Sequence, residues 1–162
     1  MQRAVRVDRC GEWPTEDTVG SVTLSYDDRY RRRLRLKTDD GSPFLLDLDR
    51  ATVLAPGDGL ALADGGWLAV RAAAEELIEI RPRDGVHLAR LAWHLGNRHL
   101  PSEIMGGVIR IRPDHVIEDL MRRLGAEVVS CYAPFAPEGG AYSEEAGHDH
   151  HHHHQSGHSH AG

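Results

Sequence analysis

The stretch Glu76 to Asn97, ELIEIRPRDGVHLARLAWHLGN, changes its period in mid-run. From Glu76 to Arg81 the residues alternate, with Leu77, Glu79 and Arg81 on one side and Glu76, Ile78 and Ile80 on the other, and Pro82 closes the run as a strand. Asp84-Gly85 then opens a segment whose apolar residues Leu88, Leu91, Ala92 and Leu95 follow the i, i+3, i+4, i+7 stripe of an amphipathic helix. Gly96-Asn97 predicts the stop, because both residues tolerate the left-handed conformation at a helix C-terminus.

Toward the C-terminus, Glu103 to Met105 and Val108 to Arg112 flank Gly106-Gly107, a two-residue hairpin signal. Asp114 is a good N-cap for a second helix, which buries Ile117, Leu120, Met121 and Leu124 and ends before Gly125. Arg122 and Arg123 fall in its last turn, where cations complement the helix dipole. Glu127 to Phe135 reads as a last strand. Strand, helix, strand, strand, helix, strand is the ferredoxin-like split βαβ order.

Toward the N-terminus, Val5 to about Ala74 reads as short strands separated by turns. Val19 to Tyr26, Arg31 to Thr38, Phe44 to Leu48, Leu60 to Ala63 and Trp67 to Arg71 are the strands, punctuated by Asp39-Asp40-Gly41-Ser42, Pro56-Gly57-Asp58-Gly59 and Asp64-Gly65-Gly66. The expected class is therefore α+β. An N-terminal all-β module spans residues 1–74, a ferredoxin-like domain 75–147, and a His-rich tail, expected to be disordered, 148–162.

The formal charge is −6 with every histidine neutral, and 18 of the 19 cationic residues are Arg. That balance disfavours nucleic acid as a partner. The counter-signal is Arg31-Arg32-Arg33-Leu34-Arg35-Leu36-Lys37, but its alternation is that of a strand with one solvated face, and no aromatic platform interleaves it. No apolar run is long enough to span a bilayer and no signal-peptide core follows Met1, so a cytoplasmic protein that does not engage membranes is expected. Cys10 and Cys131 lie far apart with no CxxC spacing, which suggests neither a disulfide framework nor a thiolate metal site.

The chemistry concentrates in histidine. His148, His150, His151, His152, His153, His154, His158 and His160 make an imidazole-rich end, interrupted by Asp149, Gln155, Ser156, Gly157 and Ser159. A purification tag is the bland explanation for such a run; the irregular spacing argues for a native metal collector. Neutral imidazole suits nickel, copper and zinc alike, so the tail alone names no metal. Outside it stand His87, His94, His99 and His115. His99 lies just beyond the helix stop and ahead of Pro101, a loop position suited to a ligand and equally to an ordinary surface residue. His115 heads the second helix, and His87 and His94 share one side of the first, where a polar helix face accounts for His87.

The segments His94-Leu95-Gly96-Asn97-Arg98-His99-Leu100-Pro101, Asp114-His115-Val116-Ile117-Glu118-Asp119-Leu120-Met121 and Pro134-Phe135-Ala136-Pro137-Glu138-Gly139-Gly140-Ala141-Tyr142, with the His-rich end, resemble the urease accessory protein E family. The likeness is strong from His94 to Tyr142 and weak through the β module. It implies a nickel metallochaperone and no enzyme. Ni(2+) is its cargo, with Zn(2+) or Cu(2+) as in vitro substitutes. It also implies a homodimer in which His99 meets its mate across the two-fold axis, with His94 and His115 as additional metal positions. The implied partners are a urease accessory GTPase and the complex of urease apoenzyme with its accessory proteins, and the family's N-terminal β domain is thought to bind partner polypeptide. Where some members carry His-Asp-His before the second helix, this chain has Pro113-Asp114-His115.

Two other functions compete. A nickel or zinc buffer would work through the tail alone. A metal-dependent hydrolase would need three fixed ligands, an open position and a base, for which Glu103, Glu118 and Asp119 are the available carboxylates, without any HExxH spacing.

Overall fold

The computed structural model describes residues 1–139. Two sheets divide it. The first has six strands: β1 (Gln2–Asp8), β2 (Thr18–Leu24), β3 (Tyr30–Lys37), β4 (Pro43–Val53), β5 (Gly59–Leu62) and β6 (Trp67–Ala72). The second has four strands, β7 (Ala74–Arg81), β8 (Glu103–Met105), β9 (Val108–Ile111) and β10 (Glu127–Pro134), with α1 (Gly85–Asn97) and α2 (His115–Arg123). The mixed α+β class and the order of the C-terminal elements follow the expectation, β1 is a strand beyond the five expected in residues 1–74, and the described residues stop short of the tail.

In the six-stranded sheet the order is β2-β6-β5-β1-β4-β3, and both β1 with β4 and β2 with β6 run parallel. This mixed pairing departs from a simple reading of strands and turns. Turn residues specify neighbours along the chain, whereas β1 pairs with β4 and β5, from which β2 and β3 separate it in the chain, and shares a core with them. Ala4, Val22, Phe44, Leu46, Leu54 and Leu60 are fully buried in that core. β4 also runs five residues past Leu48, carried by pairing of Tyr30 with Val53 and Arg31 with Thr52. The sheet curls so that the β3–β4 turn meets β2. Asp39 N donates to Ser21 O at 2.8 Å, and the Asp39 carboxylate accepts from Ser21 Oγ at 2.5 Å and Thr23 N at 2.9 Å.

The four-stranded sheet has the order β10-β7-β9-β8, with every neighbouring pair antiparallel. The split βαβ order read from the sequence produces it directly. Gly106 and Gly107 both take positive φ, 52° and 86°, which the two-residue hairpin between β8 and β9 demands. Ile78, Ile80, Ile109 and Ile111 face the helices and meet Leu91, Leu95, Ile117 and Met121.

The two sheets join at Ala73, whose N–H donates to Leu24 O at 2.8 Å. Tyr26 packs edge-on against the buried Phe135 ring at 5.2 Å, and its N–H donates to Glu75 at 2.8 Å. Arg112 lies over the same tyrosine ring at 4.8 Å and pairs with Asp27 at 2.7 Å. Arg29 donates to the Phe135 carbonyl. These contacts fix the strand ends that carry the candidate site.

Candidate metal centre

α1 starts where Asp84 accepts the His87 N–H at 2.7 Å, an N-cap interaction. It buries Leu91 and Leu95. It also buries His87, only 6% exposed, which corrects the expectation of a polar helix face. His87 Nδ1 accepts from Arg83 N at 3.0 Å and Nε2 lies 2.9 Å from Leu124 O. A carbonyl can only accept, so the neutral tautomer carries its proton on Nε2. His87 is a clasp between the start of α1 and the end of α2, with both ring nitrogens engaged.

α1 ends at Asn97, within the expected Gly96-Asn97 stop, but neither of those residues is the left-handed one. The helix continues through Gly96 and Asn97, Arg98 is its cap, and the left-handed residue is His99, at φ 52°. His99 N donates to Gly96 O at 3.0 Å and Leu100 N to Leu95 O at 3.3 Å, the paired bonds of a Schellman motif. Leu100 packs against the same core as Leu95, the apolar contact that accompanies this motif.

His99 is the only non-glycine residue with positive φ among the described residues. For an L-residue this conformation costs roughly 1–2 kcal/mol, which glycine would avoid. The corner therefore holds an exposed imidazole where stability alone favours glycine. One turn earlier, His94 is half-buried and stands edge-on to Trp93 at 5.0 Å, while Arg98 donates to the His94 carbonyl at 3.0 Å. Trp93 is 64% exposed and Val86, seven residues earlier, 65% exposed, so α1 presents an uncovered apolar side.

Two further segments converge on the His99 corner. Leu100 and Pro101 line a cleft of about 330 Å³ together with Arg112, Pro113 and Asp114. His115 follows as the exposed first residue of α2, whose start is capped by Asp114 accepting from Val116 N at 3.0 Å and Ile117 N at 3.2 Å. The fold thus sets the residues next to His99 and His115 around one cleft. Beyond β10, Glu138 N donates to Ser102 O at 2.8 Å and Ala136 N to the Glu103 carboxylate at 3.2 Å. The chain therefore runs beside the residues that follow His99 just before the last described position. His148, His150 to His154, His158 and His160 lie outside the described residues.

Among the described residues no group of three or more His, Cys, Asp or Glu side chains gathers as a metal site. The carboxylates considered for a hydrolase have other partners. Glu118 and Asp119 pair with Arg122 at 3.6 and 3.2 Å, and Glu103 holds the Ala136 amide. Cys10 and Cys131 are both free thiols. No helix among the described residues is long and apolar enough to cross a membrane.

Residues 2–73 match the model of the UreE urease accessory protein N-terminal domain, and residues 75–161 that of the C-terminal domain. The chain belongs to the UreE urease accessory protein family. A urease accessory protein UreE of Bradyrhizobium sp. strain BTAi1 is 55% identical over 152 residues, covering 92% of this chain and 73% of that protein. That of Chelativorans sp. strain BNC1 is 53% identical over 142 residues, 86% of this chain and 87% of the relative. That of Ruegeria pomeroyi is 45% identical over 142 residues, 88% and 92% of the two chains. Membership of the UreE family makes this an accessory protein, not an enzyme, and the hydrolase alternative falls with it.

Proposed function

We propose that the chain is a cytoplasmic, homodimeric nickel carrier that loads Ni(2+) between two His99 imidazoles and passes it to the urease apoenzyme and its accessory GTPase. The observation that carries this reading is the left-handed conformation of His99, a strained position occupied by a metal-binding side chain and held by its own helix end. One imidazole holds a divalent ion weakly; a two-fold axis at this corner doubles it without any second motif. The uncovered side of α1 around Trp93 supplies apolar surface for that contact. His94 and His115 serve as additional donors, and the eight tail histidines gather ions that the His99 pair then receives.

The proposed division of labour is partner binding in residues 1–74, metal binding in 75–147 and collection in 148–162. A family match that extends to residue 161 takes in the His-rich end and supports a native tail. Copper binds imidazole at least as well as nickel and zinc binds it too, so selectivity comes from availability and partners. Loading weakens on acidification, because only unprotonated imidazole coordinates.

Nickel titration of the intact chain, of a form ending at Gly147 and of His99→Gly tests the proposal. Glycine keeps the left-handed turn and removes only the imidazole. The expected result is one tight ion per dimer that survives truncation and loses at least tenfold in affinity in His99→Gly. If His99→Gly binds nickel as tightly as the native chain while truncation abolishes binding, the protein is a tail-based nickel or zinc buffer instead.

A further inference from the structure

We propose that the open edge of β3 and the cleft at its head form one track for an extended acidic segment of a partner protein. β3 ends the six-stranded sheet and pairs only with β4 among the described residues, leaving one row of main-chain groups open to a further strand. Arg32, Arg33, Arg35 and Lys37 are exposed along it. Arg33 shares Asp47 with Arg3, whereas Arg32, Arg35 and Lys37 make no ion pair among the described residues. Leu45 and Pro43 stand opposite Arg35 and Lys37, so the neighbouring strand offers these cations no charge.

Cations on an edge strand also guard against aggregation. The head of β3 has a feature that a guard does not need. Tyr30 and Arg31 open onto a cleft of about 510 Å³ whose other walls include Val53, Pro56 and Pro137, with Arg29 as a buried lining residue. Arg29 is 3% exposed, and its Nε–H finds no acceptor among the described residues. Asp27 lines the same cleft and Glu75 and Glu103 act on the Arg29 guanidinium, so a multiply charged phosphate is disfavoured there.

Tyr30 and Val53, opposite each other and 57% and 48% exposed, supply an apolar lip for a side chain. Main-chain pairing along β3 calls for an extended peptide, the unpaired cations call for carboxylates on it, and the cleft receives its end. Single-stranded nucleic acid lacks the stacking platform it would need along β3. The proposal rests on the reading of residues 1–74 as the partner-binding unit, and because its test does not involve nickel it can fail without touching the metal-carrier reading.

The probe is a fluorescein-labelled decapeptide of alternating Glu and Val, titrated into the full chain by anisotropy. Saturable binding is expected, weakened at least tenfold by the double substitution Arg35→Glu and Lys37→Glu and severalfold by Val53→Glu. All three positions are exposed, and circular dichroism checks the fold. A Lys-Val decapeptide is expected to prefer the doubly reversed chain, and amide exchange is expected to slow along β3 when the Glu-Val peptide binds. Equal affinity for the double variant, protection elsewhere than β3, or equal competition by a ten-residue oligothymidylate would overturn the proposal. An unaffected Val53→Glu would separate the cleft from the strand edge and overturn the joint track.

Discussion

Two helix ends in the C-terminal half close with the same hydrogen-bond pattern and different residues. At the end of α2, Gly125 takes φ 87°, its N–H donates to Arg122 O at 2.9 Å, and Ala126 N donates to Met121 O at 3.1 Å. At the end of α1 the equivalent residue is His99, at φ 52°. Glycine is the ordinary solution and accounts for α2 by stability alone. Histidine in the same geometry has no such account. The difference separates an end that terminates a helix from an end that also displays a ligand.

The starts of the helices are alike, each capped by an aspartate, and a histidine also links them unequally. His87 at the start of α1 reaches Leu124 O at the end of α2, whereas the side-chain bond at the end of α1 among the described residues is local, from Arg98 to the His94 carbonyl. His87→Leu breaks this arrangement most severely. It strands the Arg83 amide and the Leu124 carbonyl, and a loss of about 2–4 kcal/mol is expected in chemical denaturation. A change under 1 kcal/mol would mean that water replaces both bonds.

Exchanging the two corner residues sharpens the contrast. Gly125→Ala should cost about 1–2 kcal/mol, since it forces a Cβ into the left-handed region. That Cβ would also stand 3.3 Å from the Arg83 guanidinium. His99→Gly should leave stability unchanged or raise it by up to about 1 kcal/mol, the relief of strain being partly offset by the freedom glycine gives the unfolded chain. Paired thermal melts check both. Destabilisation by His99→Gly would show that the imidazole is there for packing and would remove the strongest argument for its role as a ligand.

The smallest expected effect concerns the caps. The His87 N–H holds the Asp84 carboxyl below its ordinary value, so the cap contributes fully above the unfolded carboxylate pKa and is lost as pH falls through the folded one. Asp84→Asn should therefore flatten the fall in melting temperature below about pH 4, the unfolded Asp value being near 3.9. Identical pH profiles for the two proteins would remove the α1 cap from the acid response.

Much of this was legible without coordinates. The period change at Pro82, the Gly106-Gly107 turn and the Asp114 cap are local signals, and each element they predict forms within a few residues of its expected place. Ligand residue types were visible too, because imidazoles in a loop and a tail are a matter of composition. The stop of α1 was legible at Asn97, but the left-handed residue is His99 and not Gly96 or Asn97, and the contact of Leu100 with the core that holds Leu95, which accompanies this turn, is tertiary. His87 was misassigned because helical spacing gives the side of a helix, and the Leu124 carbonyl that makes a histidine acceptable inside is 37 residues away.

By itself, the sequence determined the elements, the split βαβ order and the histidines available for metal, since all of these follow from periods and residue types over a few turns. Only the tertiary structure decided the parallel pairs of the first sheet, the left-handed state of His99 and the cleft that relates it to the residue before His115. These depend on which distant surfaces share a core, and that balance of burial against backbone strain is set by the whole chain, not by any segment of it.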